Sequence, residues 1–163
     1  MKNLYLIRHA KSDWSDVSKS DFERVLNKRG EKAIFTMADA LLEKGVIPDL
    51  ILSSSAKRAK LTAKGLANEI KYSGKIKYID ELYMAEPFDV ITMLKEIKDK
   101  YQNVFVVGHN PETTELTDLM MDEYIDNVPT LGIVAFELPI KHWKKFKPEK
   151  ARFNFFIYPK MYK

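Results

Sequence analysis

Short continuous apolar runs alternate along the chain with segments in which apolar residues recur at helical spacing. An uninterrupted apolar run indicates a strand buried on both faces, whereas recurrence every three to four residues indicates an amphipathic helix. The predicted strands are 4–7, 50–52, 76–79, 104–107, 132–138 and 152–158, and the predicted helices are 33–42, 56–70, 87–97 and a last one ending near 120. This alternation predicts an α/β domain with three α/β/α layers and a mostly parallel central sheet.

Glycine, asparagine and proline mark several of the element boundaries. Residues 27–30 form a predicted breaker segment before the first helix, and Gly45 is the predicted C-terminal cap of that helix. Pro87 suits the first turn of the third helix, where its missing N–H costs nothing. The chain contains no repeat, low-complexity tract or long linker, so residues 1–163 are predicted to form a single domain.

Three of the predicted strands end in polar segments that carry histidine or arginine. Arg8 and His9 follow the first strand, and Arg58 lies just inside the helix after the second. His109 follows the strongly apolar strand 104–107. Because the carboxyl ends of parallel strands meet at one edge of a sheet, these side chains are expected to line one crevice. Two guanidinium groups beside a helix N-terminus suit a phosphate dianion.

A histidine among phosphate-binding groups can attack phosphorus through a neutral ring nitrogen. A second histidine, if protonated, stabilises charge on the transferring oxygens together with the arginines. This chemistry needs no metal or other cofactor, and the strand ends lack the carboxylate cluster that a magnesium site requires. Judged by residue type alone, the same side chains are equally consistent with ordinary surface or hydrogen-bonding groups.

The amino-acid composition excludes several kinds of functional site. The absence of cysteine excludes disulfides, thiolate zinc sites and cysteine nucleophiles. The apolar run near Met1 is too short for a signal peptide and no later run reaches membrane-spanning length, so we expect a cytoplasmic protein without a membrane partner.

The formal net charge of +4 fits an anionic ligand or solubility alone. Segment 142–147 mixes basic and aromatic residues, but it is more typical of a solvated segment leading into a late strand than of a nucleic-acid groove. We therefore expect no nucleic-acid partner, and a monomer rather than an oligomer. The aspartates of the early loop, Asp21 among them, are expected at the surface rather than as metal ligands.

The segment Leu6-Ile7-Arg8-His9-Ala10 resembles the arginine-histidine signature of the histidine phosphatase superfamily, the phosphoglycerate-mutase-like proteins. The resemblance extends from residue 4 to about residue 120 and is most similar to the small phosphohistidine phosphatase (SixA-like) branch. The further blocks that carry it are 11–14, 26–30, 48–54, 58–63 and 108–111. It implies a phosphoglycerate-mutase-like fold and no cofactor.

The same resemblance implies roles for individual residues. His9 would be the phosphorylated nucleophile, Arg8 and Arg58 the phosphate clamps, and His109 the second histidine of the pocket. Ser12 and Asn110 are two further expected phosphate-binding residues, one in the first block and one in the last.

The general acid is not evident from the sequence. Larger relatives place a glutamate in the loop after the third strand, where this chain has residues 80–86. Glu81 and Glu86 are candidate donors, although each is more typical of an exposed loop carboxylate. A site without a strong acid favours phosphohistidine, because an imidazole leaving group needs less protonation than an alkoxide.

The sequence therefore predicts a metal-independent phosphatase that forms a phosphohistidine intermediate on His9 and dephosphorylates phosphohistidine in proteins. Two alternatives remain open at this point: a broad-specificity phosphomonoesterase of small molecules, and a non-catalytic phosphate- or anion-binding module.

Overall fold

A six-stranded sheet forms the middle layer of the computed structural model, which describes residues 1–162. The strands are β1 (Lys2–Arg8), β2 (Leu50–Ser54), β3 (Ile76–Ile79), β4 (Asn103–Gly108), β5 (Ile133–Leu138) and β6 (Arg152–Ile157), in the spatial order β3-β2-β4-β1-β5-β6. The first four strands run parallel, β5 is antiparallel to β1, and β6 is antiparallel to β5. The predicted mostly parallel sheet is confirmed.

Four helices cover the two faces of this sheet, as the strands' lack of apolar–polar alternation requires. They are α1 (Lys28–Glu43), α2 (Lys57–Glu69), α3 (Pro87–Lys95) and α4 (Glu112–Met120). One core lies between the sheet and α1 and α2, and the other between the sheet and α3 and α4. Trp143 and Phe146 are buried in the second core. The expectation that segment 142–147 is solvated is therefore wrong for its aromatic residues. Within residues 1–162, no helix combines the length and apolar character needed to cross a membrane.

The start of α1 differs from the sequence prediction. Asn27 is the N-cap, and its side chain accepts a 2.8 Å hydrogen bond from the N–H of Gly30. Gly30, predicted to break the helix, lies inside its first turn, where a Cβ would overlap the carbonyl oxygen of Lys11. The glycine therefore permits α1 to approach the segment after His9. At the other end Gly45 has φ of 70°, which confirms its role in ending the helix.

The register between β1 and β4 positions the predicted site. Arg8 pairs with Gly108, and the backbone N–H of His9 donates a 3.0 Å hydrogen bond to the carbonyl of Gly108. His9 and His109 thus leave neighbouring strands at the same level. Since β2 pairs with the other side of β4, the start of α2 lies beside them. The carboxyl ends of β1, β2 and β4 meet at one edge, as expected for a parallel arrangement.

Candidate active site

A cleft of about 350 Å³ opens at this edge of the sheet. Its lining residues are Arg8, His9, Lys11, Ser12, Trp14, Arg24, Arg58, His109, Asn110 and Thr130. Six of the eight candidate residues from the sequence therefore meet in one place. The lining contains several basic side chains and, in the part of the chain described, no carboxylate.

His9 is held as a neutral ring with a defined tautomer. Its Nδ1 lies 2.7 Å from the carbonyl oxygen of Ala10, which can only accept a hydrogen bond, so Nδ1 carries the proton. Nε2 keeps its lone pair and lies 3.4 Å from Nε of Arg58. Burial, reinforced by the nearby arginine charges, lowers the pKa of His9 to about 4. At neutral pH the ring is therefore uncharged, with Nε2 available as a nucleophile.

His109 is also neutral, and a contact with Ser54 fixes its ring. Ser54 Oγ accepts from the N–H of Ala56 at 3.2 Å and lies 2.8 Å from Nε2 of His109. The Ser54 hydroxyl can donate to Nε2 or accept from it, so this contact fixes the position of the ring and not its tautomer. That buried Nδ1 has no hydrogen-bond partner among residues 1–162. Burial, and then the charges of His9 and Arg58, lower the pKa of His109 to about 3. At neutral pH the ring is therefore uncharged, whereas the charge-stabilising role considered from the sequence needs a protonated ring.

Arg58 is buried, and Asp21 holds it in place. Its Nη1 donates to the backbone oxygen of Asp21 at 2.6 Å and its Nη2 to the carboxylate at 3.1 Å. The same carboxylate accepts from Arg24 at 2.6 Å and from the hydroxyl of Tyr83 at 2.5 Å. The hydrogen bond from Tyr83 and the adjacent arginines lower the pKa of Asp21 to about 2. The Asp21 side chain is 49% exposed, in keeping with the surface position expected from the sequence, but its contacts with Arg58 and Tyr83 were not predicted, because loops far apart in the chain bring these residues together.

Arg8 is fixed from behind the cleft. Its Nη1 donates to the carbonyl of Val128 at 3.0 Å, whereas its buried Nε has no partner within the described chain. Glu112, the first residue of α4, is only 4% exposed and its Oε2 has no partner in residues 1–162. Burial raises the pKa of Glu112 to about 7. No sequence motif pointed to this carboxyl.

Ser12 and Asn110 line the cleft, and both make hydrogen bonds within the protein. Ser12 Oγ accepts a 3.1 Å hydrogen bond from Nε of Arg24. The Asn110 amide donates to the carbonyl of Val128 at 3.1 Å, and its oxygen accepts from the hydroxyl of Thr114 at 2.9 Å. These contacts indicate that Asn110 joins the β4–α4 loop to the segment before β5.

The candidate proton donors Glu81 and Glu86 lie outside the cleft. Glu81 is an exposed residue of the short 3₁₀ turn Asp80–Leu82. Glu86 is exposed just before α3, and its backbone N–H donates to the carboxylate of Asp89 at 2.9 Å. Glu86 also belongs to the capping box at the start of α3. Residues 1–162 also contain no group of three or more histidine, aspartate or glutamate side chains arranged to hold a metal.

We expect Glu112→Gln to change how stability depends on pH. The carboxyl has a folded pKa of about 7 and an ordinary value of 4.5, so between these values the unfolded chain loses a proton that the native protein keeps. The contribution of this neutral carboxyl to the free energy of unfolding is present below pH 4.5. It is lost as pH rises toward 7, and the total loss is about 3 kcal/mol. Urea unfolding at pH 4.5 and pH 8 measures the difference. The loss in wild type should exceed that in Glu112→Gln, and equal losses would show that Glu112 ionises normally.

Comparison with known proteins agrees with this geometry. Residues 4–86 match the model of the histidine phosphatase superfamily (branch 1). A chloroplastic protein of Arabidopsis thaliana, itself uncharacterised, is 31% identical over 128 residues, which are 73% of this chain and 59% of that protein. The chain thus spans less than two thirds of this relative's length.

Two solved structures share the fold over almost the whole chain. SixA of Agrobacterium tumefaciens, assigned as a phosphohistidine phosphatase, is 28% identical with a TM-score of 0.83, covering 96% of this chain and 97% of its own. The protein histidine phosphatase SixA in complex with tungstate is 20% identical with a TM-score of 0.84, covering 99% of both chains. At 20% identity, the match to the tungstate complex shows a shared fold alone. Together with the match over residues 4–86, these findings show that the chain belongs to the histidine phosphatase superfamily.

Proposed function

We propose that this protein is a phosphatase that carries the phosphoryl group on His9 and acts on phosphohistidine in proteins. Membership of the histidine phosphatase superfamily and the SixA neighbours support a phosphatase. The protein-borne phosphohistidine substrate is the finer part of the proposal. It comes from the chemistry of the cleft and from the activity assigned to the Agrobacterium neighbour.

In the first step, the lone pair of His9 Nε2 attacks phosphorus. The new N–P bond forms as the bond from phosphorus to the leaving group breaks. The guanidinium groups of Arg8 and Arg58, with the ring of His109 beside them, bind the phosphoryl oxygens and stabilise their charge. In the second step water attacks the phosphorylated His9, which releases inorganic phosphate and restores the neutral ring.

The observation that carries the choice of substrate is the lack of a carboxylate in the lining of the cleft, within residues 1–162. Of the two carboxyl groups described near the cleft, Asp21 has a pKa of about 2 and is ionised, and Glu112, with a pKa of about 7, does not line the cleft. An alkoxide has a high pKa and leaves slowly without an acid. A phosphohistidine that is protonated on its other ring nitrogen leaves as neutral imidazole and needs no proton from the enzyme. The cleft is therefore better suited to phosphohistidine than to phosphoserine.

The test compares hydrolysis of a phosphohistidine peptide, a phosphoserine peptide of the same sequence and an activated aryl phosphate. We expect kcat/KM to be highest for phosphohistidine, measurable for the aryl phosphate, and at least about 10²-fold lower for phosphoserine, the usual size of a general-acid contribution. The pKa of each leaving group predicts this order.

Two outcomes would contradict the proposal. Phosphoserine hydrolysed as fast as phosphohistidine would show that the enzyme supplies a proton, and would favour a broad phosphomonoesterase. No turnover of any of the three substrates would favour an anion-binding module. As a control, a chelator should leave every rate unchanged, because the proposed steps use only side chains and water.

A further inference from the structure

A second, larger cleft of about 770 Å³ adjoins the catalytic one. The two share Lys11 and Thr130 in their linings, so a molecule bound in one can extend into the other. The remaining residues of this second cleft come from α1, from Pro129 and from the C-terminal segment. They are Arg29, Lys32, Ala33, Thr36, Pro129, Tyr158, Pro159, Lys160 and Tyr162. We refer to it as the basic cleft.

All the charged side chains that line the basic cleft are cationic. Lys11, Arg29, Lys32 and Lys160 are all exposed in its lining, and none of them forms a salt bridge within residues 1–162. No aspartate or glutamate of the described chain lines it. The lining of the basic cleft therefore carries four cations and, within residues 1–162, no carboxylate to offset them.

Two of these cations occupy positions that helix energetics disfavour. Arg29 and Lys32 lie in the first five residues of α1, and Glu31 is the only acidic residue in its first turn. The N-terminus of a helix carries a partial positive charge, so cations there are repelled. A bound anion would relieve this repulsion, which points to the same kind of ligand as the composition of the lining.

We propose that the basic cleft binds an acidic segment of the phosphoprotein substrate, next to its phosphohistidine. This inference rests on the proposed function and adds the character of the partner. The cations are exposed and spread over a wide cleft, whereas a small polyanion would be better held by buried guanidinium groups. The rings of Tyr158 and Pro129 supply the apolar surface that a peptide side chain can cover. Charge complementarity of this type sets orientation and encounter rate.

The test uses two phosphohistidine peptides, one with flanking aspartates and one with asparagines in their place, and an activated aryl phosphate. The variant is Lys32→Glu/Lys160→Glu, which leaves Lys11 and the catalytic cleft unchanged. The matched control, Lys95→Glu/Lys98→Glu, makes the same change of charge at exposed positions in and just after α3, on the opposite face of the sheet.

We expect the basic-cleft variant to raise KM for the acidic peptide about tenfold with kcat unchanged, since complementary charges at the edge of a site act on encounter and binding. The asparagine peptide and the aryl phosphate should be hydrolysed at wild-type rates by both variants. Added salt should raise the wild-type KM for the acidic peptide and leave that of the variant nearly constant.

Three results would overturn the inference. The first is an unchanged KM for the acidic peptide in the basic-cleft variant, and the second is an equal rise in the control variant. The third is inhibition by inorganic tripolyphosphate that exceeds inhibition by an unphosphorylated acidic peptide and disappears in the variant, which would identify a small polyanion as the ligand. If wild type cleaves the aryl phosphate and neither peptide, the proposed substrate class itself fails, and the two failures are thereby distinguished.

Discussion

His9→Ala is expected to abolish turnover of every substrate, with kcat reduced by about 10⁵-fold or more. The reason is that the proposed intermediate is a covalent bond to Nε2 of His9, and alanine has no atom to form it. The other ring in the cleft, His109, does not easily replace it, because its Nε2 contacts Ser54 and its Nδ1 is buried.

Two readouts separate loss of chemistry from loss of structure. Wild type incubated with a radiolabelled substrate and quenched in alkali should retain label that is released by acid, as phosphohistidine is, and His9→Ala should retain none. The matched control is His142→Ala, which removes the third histidine of the chain at an exposed position where it contacts Asp99. A His9→Ala protein within tenfold of the wild-type rate would rule out the mechanism.

Arg58→Ala is expected to lower kcat by roughly 10²–10³, the usual effect of removing one preorganised charge-stabilising donor. Three contacts keep this guanidinium in position: two hydrogen bonds to Asp21, and the approach of its Nε to Nε2 of His9 at 3.4 Å. Because the orientation is established before substrate binds, it costs nothing during the reaction. Steady-state kinetics with the aryl phosphate measures the change.

The matched variant is Arg58→Lys, which keeps the charge but loses the planar fork. It should recover only part of the rate, since an ammonium group cannot donate to Asp21 and to a phosphoryl group in the same geometry. A rate within twofold of wild type for Arg58→Ala would exclude Arg58 from phosphate binding. The pKa of His9 provides an independent check: loss of the Arg58 charge should raise it from about 4, visible by NMR titration.

Much of the fold and the centre of the cleft were predictable from local sequence. The apolar runs identified the strands because residues such as Ile7 and Val107 are buried on a sheet covered on both faces. The strand ends then placed His9, Arg58 and His109 together, since parallel strands bring their carboxyl ends to one edge.

What was not predictable depends on contacts between loops. Asp21 and Tyr83 are 62 residues apart, and nothing in the spacing of either indicates that they meet at Arg58. Nothing in the sequence indicates the raised pKa of Glu112 either, because it comes from burial at the start of α4. The contact of His109 with Ser54 joins the ends of β4 and β2, and no local pattern in the sequence indicates it.

The pairing of β1 with β4 positions the two histidines of the catalytic cleft and does not involve the residues of the basic cleft. Since His9 donates its backbone N–H to Gly108, the spacing of the two histidines is set by a ladder of main-chain hydrogen bonds. Side chains at the start of α1 and in the C-terminal segment, which form the basic cleft, take no part in that ladder. Substitutions there can therefore retune which phosphorylated molecule is accepted and leave the phosphoryl-transfer step intact, a division useful to anyone redirecting this scaffold to a new substrate.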